Sequence, residues 1–515
     1  MTSPAKTALQ KTSTVTAATF GSRLLGFARD AGTAAVLGAA PLADALMAAL
    51  SLPLLARRLL AEGAFNAALI PALAAAPTPE AARRVASSTL LLLSIVLLVL
   101  AALGALAMPL LILALAPGFA QGGERADLAV ACGRIALLYL PLAGMAAVFG
   151  GVANGWNKVL LPALAPMAAN GVALTGIAIL LVQGILATPQ AALVMAAFTV
   201  LAGIAQLLLM VMAARGAPAE PALNRAMLRT IDWRAARSVL RASAPALLFA
   251  GLSQFRLLGV AAVVSAVPGA VSALNYAQRL VDLPLGLVGA SAGAVLVPLL
   301  ALGARTAGAR DAGREATGAA LAALALALPA ATGLALLAEP IVTVLYQRAS
   351  FTAQDTAATA VLLTALAAAL PAQGLERVLC ATAMSHGLVR PVERIGLLSL
   401  LGCVLLALGL GALFGPAGAA AAIAVSASAS ALAMGRVLVR RGHLRVDGAL
   451  MRALGPLVAG CLFMAAAVAM AAAGWAASEA GTLAGLSRLA ALVGLGMAVF
   501  GLVWLAGRRL LRGAA

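Results

Sequence analysis

About fourteen runs of roughly 20 or more predominantly apolar residues follow one another along this 515-residue chain, separated by Gly, Pro or charge. A bilayer core about 30 Å thick takes about 20 such residues per helical crossing. The runs lie near 14–38, 42–75, 84–116, 124–154, 159–183, 187–214, 235–265, 268–303, 313–347, 353–385, 388–413, 416–441, 449–474 and 484–511. With 63% apolar residues, 10% charged residues and a mean hydropathy of +1.06, a soluble globular chain is excluded. The expected fold is an all-α integral membrane protein of about 14 transmembrane helices. Spans longer than 30 residues are expected to tilt or to project from the bilayer, and the stretch around Glu339 and Pro340 is a candidate break in the ninth.

Lys and Arg number 35 against 17 Asp and Glu, a formal charge of +18. The arginines are scattered among apolar runs and form no basic domain, so the implied partners are membrane lipids and something anionic among them, with no nucleic acid. Cations also alternate along the connections as the positive-inside rule requires for an even number of spans with both termini cytoplasmic. Lys6 and Lys11, Arg83 and Arg84, Lys158, Arg215 to Arg241, Arg305 to Arg314, Arg390, Arg440 to Arg445 and Arg508 to Arg512 fall on the expected cytoplasmic side. The other side holds little beyond Arg125, Arg348 and Arg488. The N-terminus lacks an apolar signal region with a small-residue cleavage site, so the first helix is expected to stay attached. Cys132, Cys380, Cys403 and Cys461 are far apart and have no metal-ligand spacing, which indicates neither a zinc site nor a disulfide framework.

The long basic connection at 215–234 divides the first twelve spans into an N-lobe, residues 1–214, and a C-lobe, residues 235–441, with 442–515 left as two further helices. Repeated bundles of this kind commonly build transporters. Within the first two spans lie Arg23, Arg29, Asp30, Asp44, Arg57, Arg58 and Glu62. At roughly 2.5–3.5 kcal/mol for each central charge, their exposure to lipid would cost on the order of 20 kcal/mol. They are therefore expected to face a hydrated cavity, to pair, or to lie near a membrane surface. Arg23 and Asp30 share a helix face, and Glu62 is placed one turn from Arg58 to hold it. Buried ion pairs locking two helices are the structural alternative, but four Arg against three acids leaves surplus positive charge.

Arg256 in the seventh span and Arg279 in the eighth, with Asp282 one turn on, would add cations from the second lobe. Several converging guanidinium groups suit a pyrophosphate. A cation pump would instead be rich in acids. Glu376 and Arg377 in the tenth span are adjacent, and a structural pair there is one reading. The last two spans have almost no central charge; they read either as ordinary lipid-facing helices or as a groove for an apolar lipid tail.

Ser22-Arg23-x-x-Gly26-Phe27-x-Arg29-Asp30, Ala43-Asp44-Ala45, Leu52-Pro53, Arg57-Arg58 and Ala61-Glu62-Gly63-Ala64-Phe65 resemble, in order, the opening of the MurJ/MviN lipid II flippases. The resemblance continues at Gly151 to Asn154, at Pro162 to Pro166 with Asn170, and at Tyr276-Ala277-x-Arg279-Leu280 with Pro284-x-Gly286. It recurs at Arg348-x-Ser350-Phe351 followed by Asp355-Thr356. It implies the fold of the multidrug/oligosaccharidyl-lipid/polysaccharide exporter superfamily: two six-helix lobes around a central cationic cavity, with two C-terminal helices forming a lipid-tail groove. It implies lipid II, the undecaprenyl-pyrophosphate-linked peptidoglycan precursor, as substrate, and the bacterial cytoplasmic membrane as location. Substrate-contacting roles carry over to Arg23, Arg29, Arg58 and Arg279, with Arg57 and Arg256 beside them; Asp30, Asp44 and Glu62 become gating or supporting acids.

The chain departs from the family pattern at Leu54, where Asn is frequent, and at Gln278, where an acid is frequent. Some members bind sodium through acids in the seventh and eleventh helices. Here the seventh span has no Asp or Glu, and His386-Gly387-Leu388 replaces an Asp-Thr-rich connection, which argues against a sodium site of that kind. No cofactor or metal is expected, and coupling to membrane potential or to protons stays open. The reading is a transporter working by alternating access; no GxxxxGK[ST] nucleotide loop is present. The alternatives are an exporter of another polyprenyl-linked saccharide or of a drug, a membrane enzyme acting on polyprenyl phosphates, or a silent scaffold for cell-wall synthesis proteins. The enzyme would need acids or His placed for chemistry, and the two His, His386 and His443, lie in predicted cytoplasmic connections.

Overall fold

The computed structural model describes residues 4–61, 65–121, 123–222, 224–286, 309–446, 448–473 and 483–513. No strand occurs among them. The helices are α1 Pro4–Leu37, α2 Pro41–Ala61, α3 Asn66–Ala74, α4 Pro79–Leu106, α5 Met108–Leu115, α6 Gly123–Ala136, α7 Tyr139–Gly155, α8 Leu160–Val182, α9 Pro189–Ala214, α10 Arg225–Leu228 and α11 Trp233–Val264. They continue with α12, whose described part is 270–286, α13 Ala309–Leu336, α14 Ala338–Tyr346, α15 Ala353–Ala367, α16 Leu370–Ser385, α17 Val389–Arg440, α18 Gly448–Ala472 and α19 Leu483–Gly513.

Each predicted span coincides, over its described residues, with one helix, half of α17, or a pair of successive helices; residues 287–303 of the eighth lie outside the described residues. By length and apolarity alone, eight described helical stretches qualify as membrane crossings, or nine if α15 and α16 form one crossing bent by 41°. The long spans are broken rather than straight, and four of the breaks share a cause. New helices start just before a proline: α5 before Pro109, α7 before Pro141, α14 before Pro340 and α16 before Pro371. Proline lacks the N–H that a helix interior needs, but the first turn leaves its N–H groups unpaired anyway. A proline inside an apolar run thus restarts the helix. The break expected near Glu339 is one of these, falling at Leu337.

The 52 residues of α17 contain two crossings. Gly415 has φ 65° and ψ −155°, outside helical geometry, and Pro416 follows it. The two halves fold back on each other, because Ser399 Oγ donates to the Ser426 carbonyl at 3.0 Å and Ser426 Oγ donates to the Ser399 carbonyl at 2.7 Å. Gly418 is required at this turn: a Cβ there would lie 2.2 Å from the Leu410 carbonyl oxygen. Leu398, Leu401, Leu405, Leu413 and Phe414 on the first half are exposed, as a lipid-facing surface should be.

The chain forms two compact units, Met1–Gln254 and Phe255–Ala515. In the first, α8 packs against α1 and α9, while α7 packs against α2, α4 and α9. Phe65 and Leu69, Leu90 and Leu93, and Val148 and Val152 make a core from the α3 region, α4 and α7, and Val239 of α11 joins it. That contact places the first part of α11 with the N-terminal unit. The basic connection is tied down before it reaches α11. Ser87 Oγ accepts from the Ala222 N–H at 3.0 Å, Ser88 Oγ accepts from the Asp232 N–H at 2.9 Å, and Arg83 Nε donates to the Glu220 carbonyl at 3.0 Å.

In the second unit, α13 packs on α15, α16 and α18, α16 on α17, and α18 on α19. Tyr276, Tyr346 and Phe351, which belong to separate motifs in the sequence, form a buried aromatic trio with centroids 5.4–5.8 Å apart. Beside it, Arg348 donates to the Val344 and Leu345 carbonyls at the end of α14, and Thr352 and Asp355 form a reciprocal capping box at the start of α15. This motif therefore holds a turn in shape.

At the ends of α16 and α17, His386 and His443 stack with centroids 3.9 Å apart and an interplanar angle of 11°. Burial, and then the neighbouring His443, push the His386 pKa below its ordinary value of 6.5. The folded state therefore favours neutral His386, and its contribution to stability is present above pH 6.5 and is lost as the pH falls through 6.5 toward the lower folded value. Thermal unfolding of the purified chain should show a midpoint that declines below pH 6.5, with a smaller decline in His386→Gln.

Candidate functional site

The helical start of the chain places Arg29 on α1, where the side chain is largely buried and doubly anchored. Its Nε and Nη2 donate to Asp30 Oδ1 at 3.1 and 2.7 Å, and its Nη1 donates to Asn170 Oδ1 of α8 at 3.1 Å. Asn170 is itself oriented by donating Nδ2 to the Ser22 carbonyl at 3.1 Å. One hydrogen on each of Nη1 and Nη2 is left for a ligand. Asp30 thus works with Arg29 rather than with Arg23, the residue on its own helix face. Asn170 is a positioning residue that composition could not single out.

Arg23 and Arg57 are different. Among the described residues neither has an acid or a hydrogen-bond acceptor as partner, and Arg57 Nε is buried with none. An N–H in that state costs about 1–3 kcal/mol, more when it is charged. Arg57 and Arg58 lie in the last two turns of α2, both half-buried. Glu62, the expected partner of Arg58, lies outside the described residues. The first unit therefore presents fixed and unneutralised guanidinium groups on two membrane helices, α1 packed along α8 and α2 packed along α6 and α7.

Asp44 occupies the opposite end of α2 from Arg57, about 20 Å away at 1.5 Å per residue. It is fully buried, and Arg125 Nη1 of α6 lies 3.7 Å from its Oδ2. Arg125 is held by stacking over Phe119 at 4.2 Å and by donating to the Gly118 carbonyl at 3.1 Å. Sequence reasoning left Arg125 as an outer-connection cation, since nothing in local spacing links residues 44 and 125. Arg125→Ala and Asp44→Asn should each lower the unfolding midpoint, and a double-mutant cycle should give a coupling energy of roughly 0.5–3 kcal/mol.

In the second unit, Arg279 is half-buried on α12, where Gln278 Nε2 donates to Asp282 Oδ1 at 2.8 Å. Arg256 does not belong with the substrate-facing cations. It is 0% exposed, and its two terminal nitrogens donate to the two Glu376 oxygens at 2.7 Å each. Its Nη2 also donates to Ser399 Oγ at 2.6 Å, leaving no approach for a lipid head group. Glu376 accordingly pairs across 120 residues with Arg256, and not with its neighbour Arg377, which donates to the Leu285 carbonyl at 3.3 Å. Between α11 and the first half of α17, the Glu376 and Ser399 oxygens bind this guanidinium.

These features define the class: a multi-pass, all-helical membrane protein whose charged groups are lodged within its spans, as in transport proteins. The fold is that of a solved structure described as lipid II flippase MurJ in an inward closed conformation, with TM-score 0.80, 20% identity, and coverage of 96% of this chain and 99% of that one. It is shared more distantly with an inward-facing multidrug resistance MATE transporter of the MOP superfamily, with TM-score 0.66, 17% identity, and 84% and 96% coverage.

The pattern of the family described as lipid II flippase MurJ matches residues 33–482. A protein of Rhizobium meliloti (strain 1021) named probable lipid II flippase MurJ is 33% identical over 504 residues, 96% of this chain and 92% of that protein. One of Rhizobium tropici with the same name is 35% identical over 369 residues, covering 71% and 68%. The chain belongs to the lipid II flippase MurJ family.

Proposed function

We infer that this chain moves lipid II from the inner to the outer leaflet of the bacterial cytoplasmic membrane by alternating access, with both termini cytoplasmic. The observation that carries the site assignment is the buried Arg57 Nε without a partner, alongside an Arg29 fixed in place with donors to spare. Burying such a cation is costly, and a ligand anion that satisfies it part of the time offsets that cost. A pyrophosphate diester does so: it is dianionic, rich in acceptors, and suited to guanidinium forks. Arg23, Arg29, Arg57 and Arg58 replace the water that the head group loses, while the polyprenyl tail remains in lipid. In the second unit, Arg279 is the cation assigned to an anionic head group. Asp30 positions Arg29, Glu62 supports Arg58, and Asp44 with Arg125 latches the far end of α2.

No covalent step is needed, so the chain is read as a transporter and not an enzyme, with no cofactor. The helices α18 and α19 accompany the lipid tail. An exporter of cationic drugs would need surplus acids where this chain has surplus arginines. The test is to supply the chain to bacteria depleted of their own lipid II flippase. Continued growth with intact walls is expected, and lysis despite a well-inserted chain would overturn the substrate assignment.

A further inference from the structure

The Arg256 site is built like a cation-binding cage. Oxygens converge from separate helices: both carboxylate oxygens of Glu376 on α16 and the Ser399 hydroxyl on the first half of α17 touch the guanidinium at 2.6–2.7 Å. Two serines from the second half of α17 back them up. Ser430 Oγ donates to Glu376 Oε1, and Ser426 Oγ lies 2.8 Å from Ser399 Oγ. The cage holds one net negative charge and is closed to solvent, with Glu376 only 7% exposed. Its single acid matches one positive charge. No group of three or more His, Cys, Asp or Glu placed to bind a metal occurs among the described residues.

Ordinary helix packing needs none of these groups, and apolar residues of the same volume would pack at least as well. What the cage does require is a cation, since an uncompensated Glu376 at this depth is costly. We propose that Arg256 is a tethered cation occupying a monovalent cation site between α11, α16 and both halves of α17. The second unit thereby assembles without any soluble cation, and the site takes guanidinium-type or small monovalent cations only when Arg256 is removed. This holds whatever lipid is carried, so its test reads unfolding rather than transport.

The purified full chain and its Arg256→Ala, Arg256→Gln and Arg256→Lys variants are melted in choline chloride, in sodium chloride at equal ionic strength, and with millimolar methylguanidinium added. The parent midpoint is expected to be the same in all three. Arg256→Ala should melt several degrees lower and regain a large part of that loss with methylguanidinium, but not with choline. Arg256→Lys, which keeps the charge, should melt above Arg256→Gln, which keeps reach and donors but not the charge. A parent midpoint that rises specifically with sodium would overturn the proposal, as would an Arg256→Ala variant indifferent to every cation. Should Arg256→Ala not accumulate, the Lys and Gln pair decides: equal midpoints would mean that the charge is not what the cage needs.

Discussion

Glu376→Ala should lower the stability of the chain by about 3–5 kcal/mol, the cost typical of leaving one member of a buried ion pair without the other. The effect is large because Arg256 is wholly buried and both its terminal nitrogens end on Glu376. Arg256→Ala should cost a similar amount for the converse reason. The double replacement Arg256→Met with Glu376→Leu should recover most of the loss, since neither desolvated charge then remains. Unfolding midpoints in detergent check this, and the expected order is parent and double variant together, with both single variants well below. Additive losses in the double variant would show that packing, not charge, dominates the site.

The arginines of the first unit should behave in the opposite way. Arg57→Met removes a guanidinium whose Nε is buried without a partner, so it should leave the midpoint unchanged or raise it, by about 1–3 kcal/mol at most. Transport should nevertheless fall by tenfold or more, taking about 1.4 kcal/mol of lost binding as the least that one guanidinium–phosphate contact contributes. Arg29→Ala should abolish transport, and Arg29→Lys should not restore it. An ammonium has three N–H groups, so holding Asp30 and Asn170 leaves it a single donor, where Arg29 keeps two in a planar fork. Stability gained where function is lost marks a group kept for its ligand. Transport by Arg57→Met at the parent rate would remove this residue from the site.

Much of this arrangement can be read from the chain itself, for identifiable reasons. Apolar runs of bilayer length and the Pro and Gly between them mark the eight or nine crossings that qualify among the described residues, because the bilayer imposes one length on every crossing. The interruptions inside the long spans also have a local signal, the prolines at 109, 141, 340 and 371, although run length alone suggests tilt instead. Charges on α1 and α2 stand out because each is costly in lipid. What they touch does not. Asp44 meets Arg125, Arg29 meets Asn170, and Arg256 meets Glu376, across 81, 141 and 120 positions, and no helical periodicity links such partners. Arg256 and Arg57 look alike in sequence, each a cation set within an apolar stretch of its helix. Only their neighbours distinguish an arginine paired with a carboxylate from one with no acid partner among the described residues.

If lipid II crosses the membrane past the arginines of α1 and α2, its exposure on the outer face must depend on them. The most direct measurement is the amount of lipid II exposed on the outer face of cells depleted of their own flippase and supplied with this chain, Arg29→Ala or Arg57→Met at equal levels in the membrane. Restored exposure with the parent chain, none with Arg29→Ala and at least a tenfold reduction with Arg57→Met is the predicted result. Equal exposure from all three would contradict it.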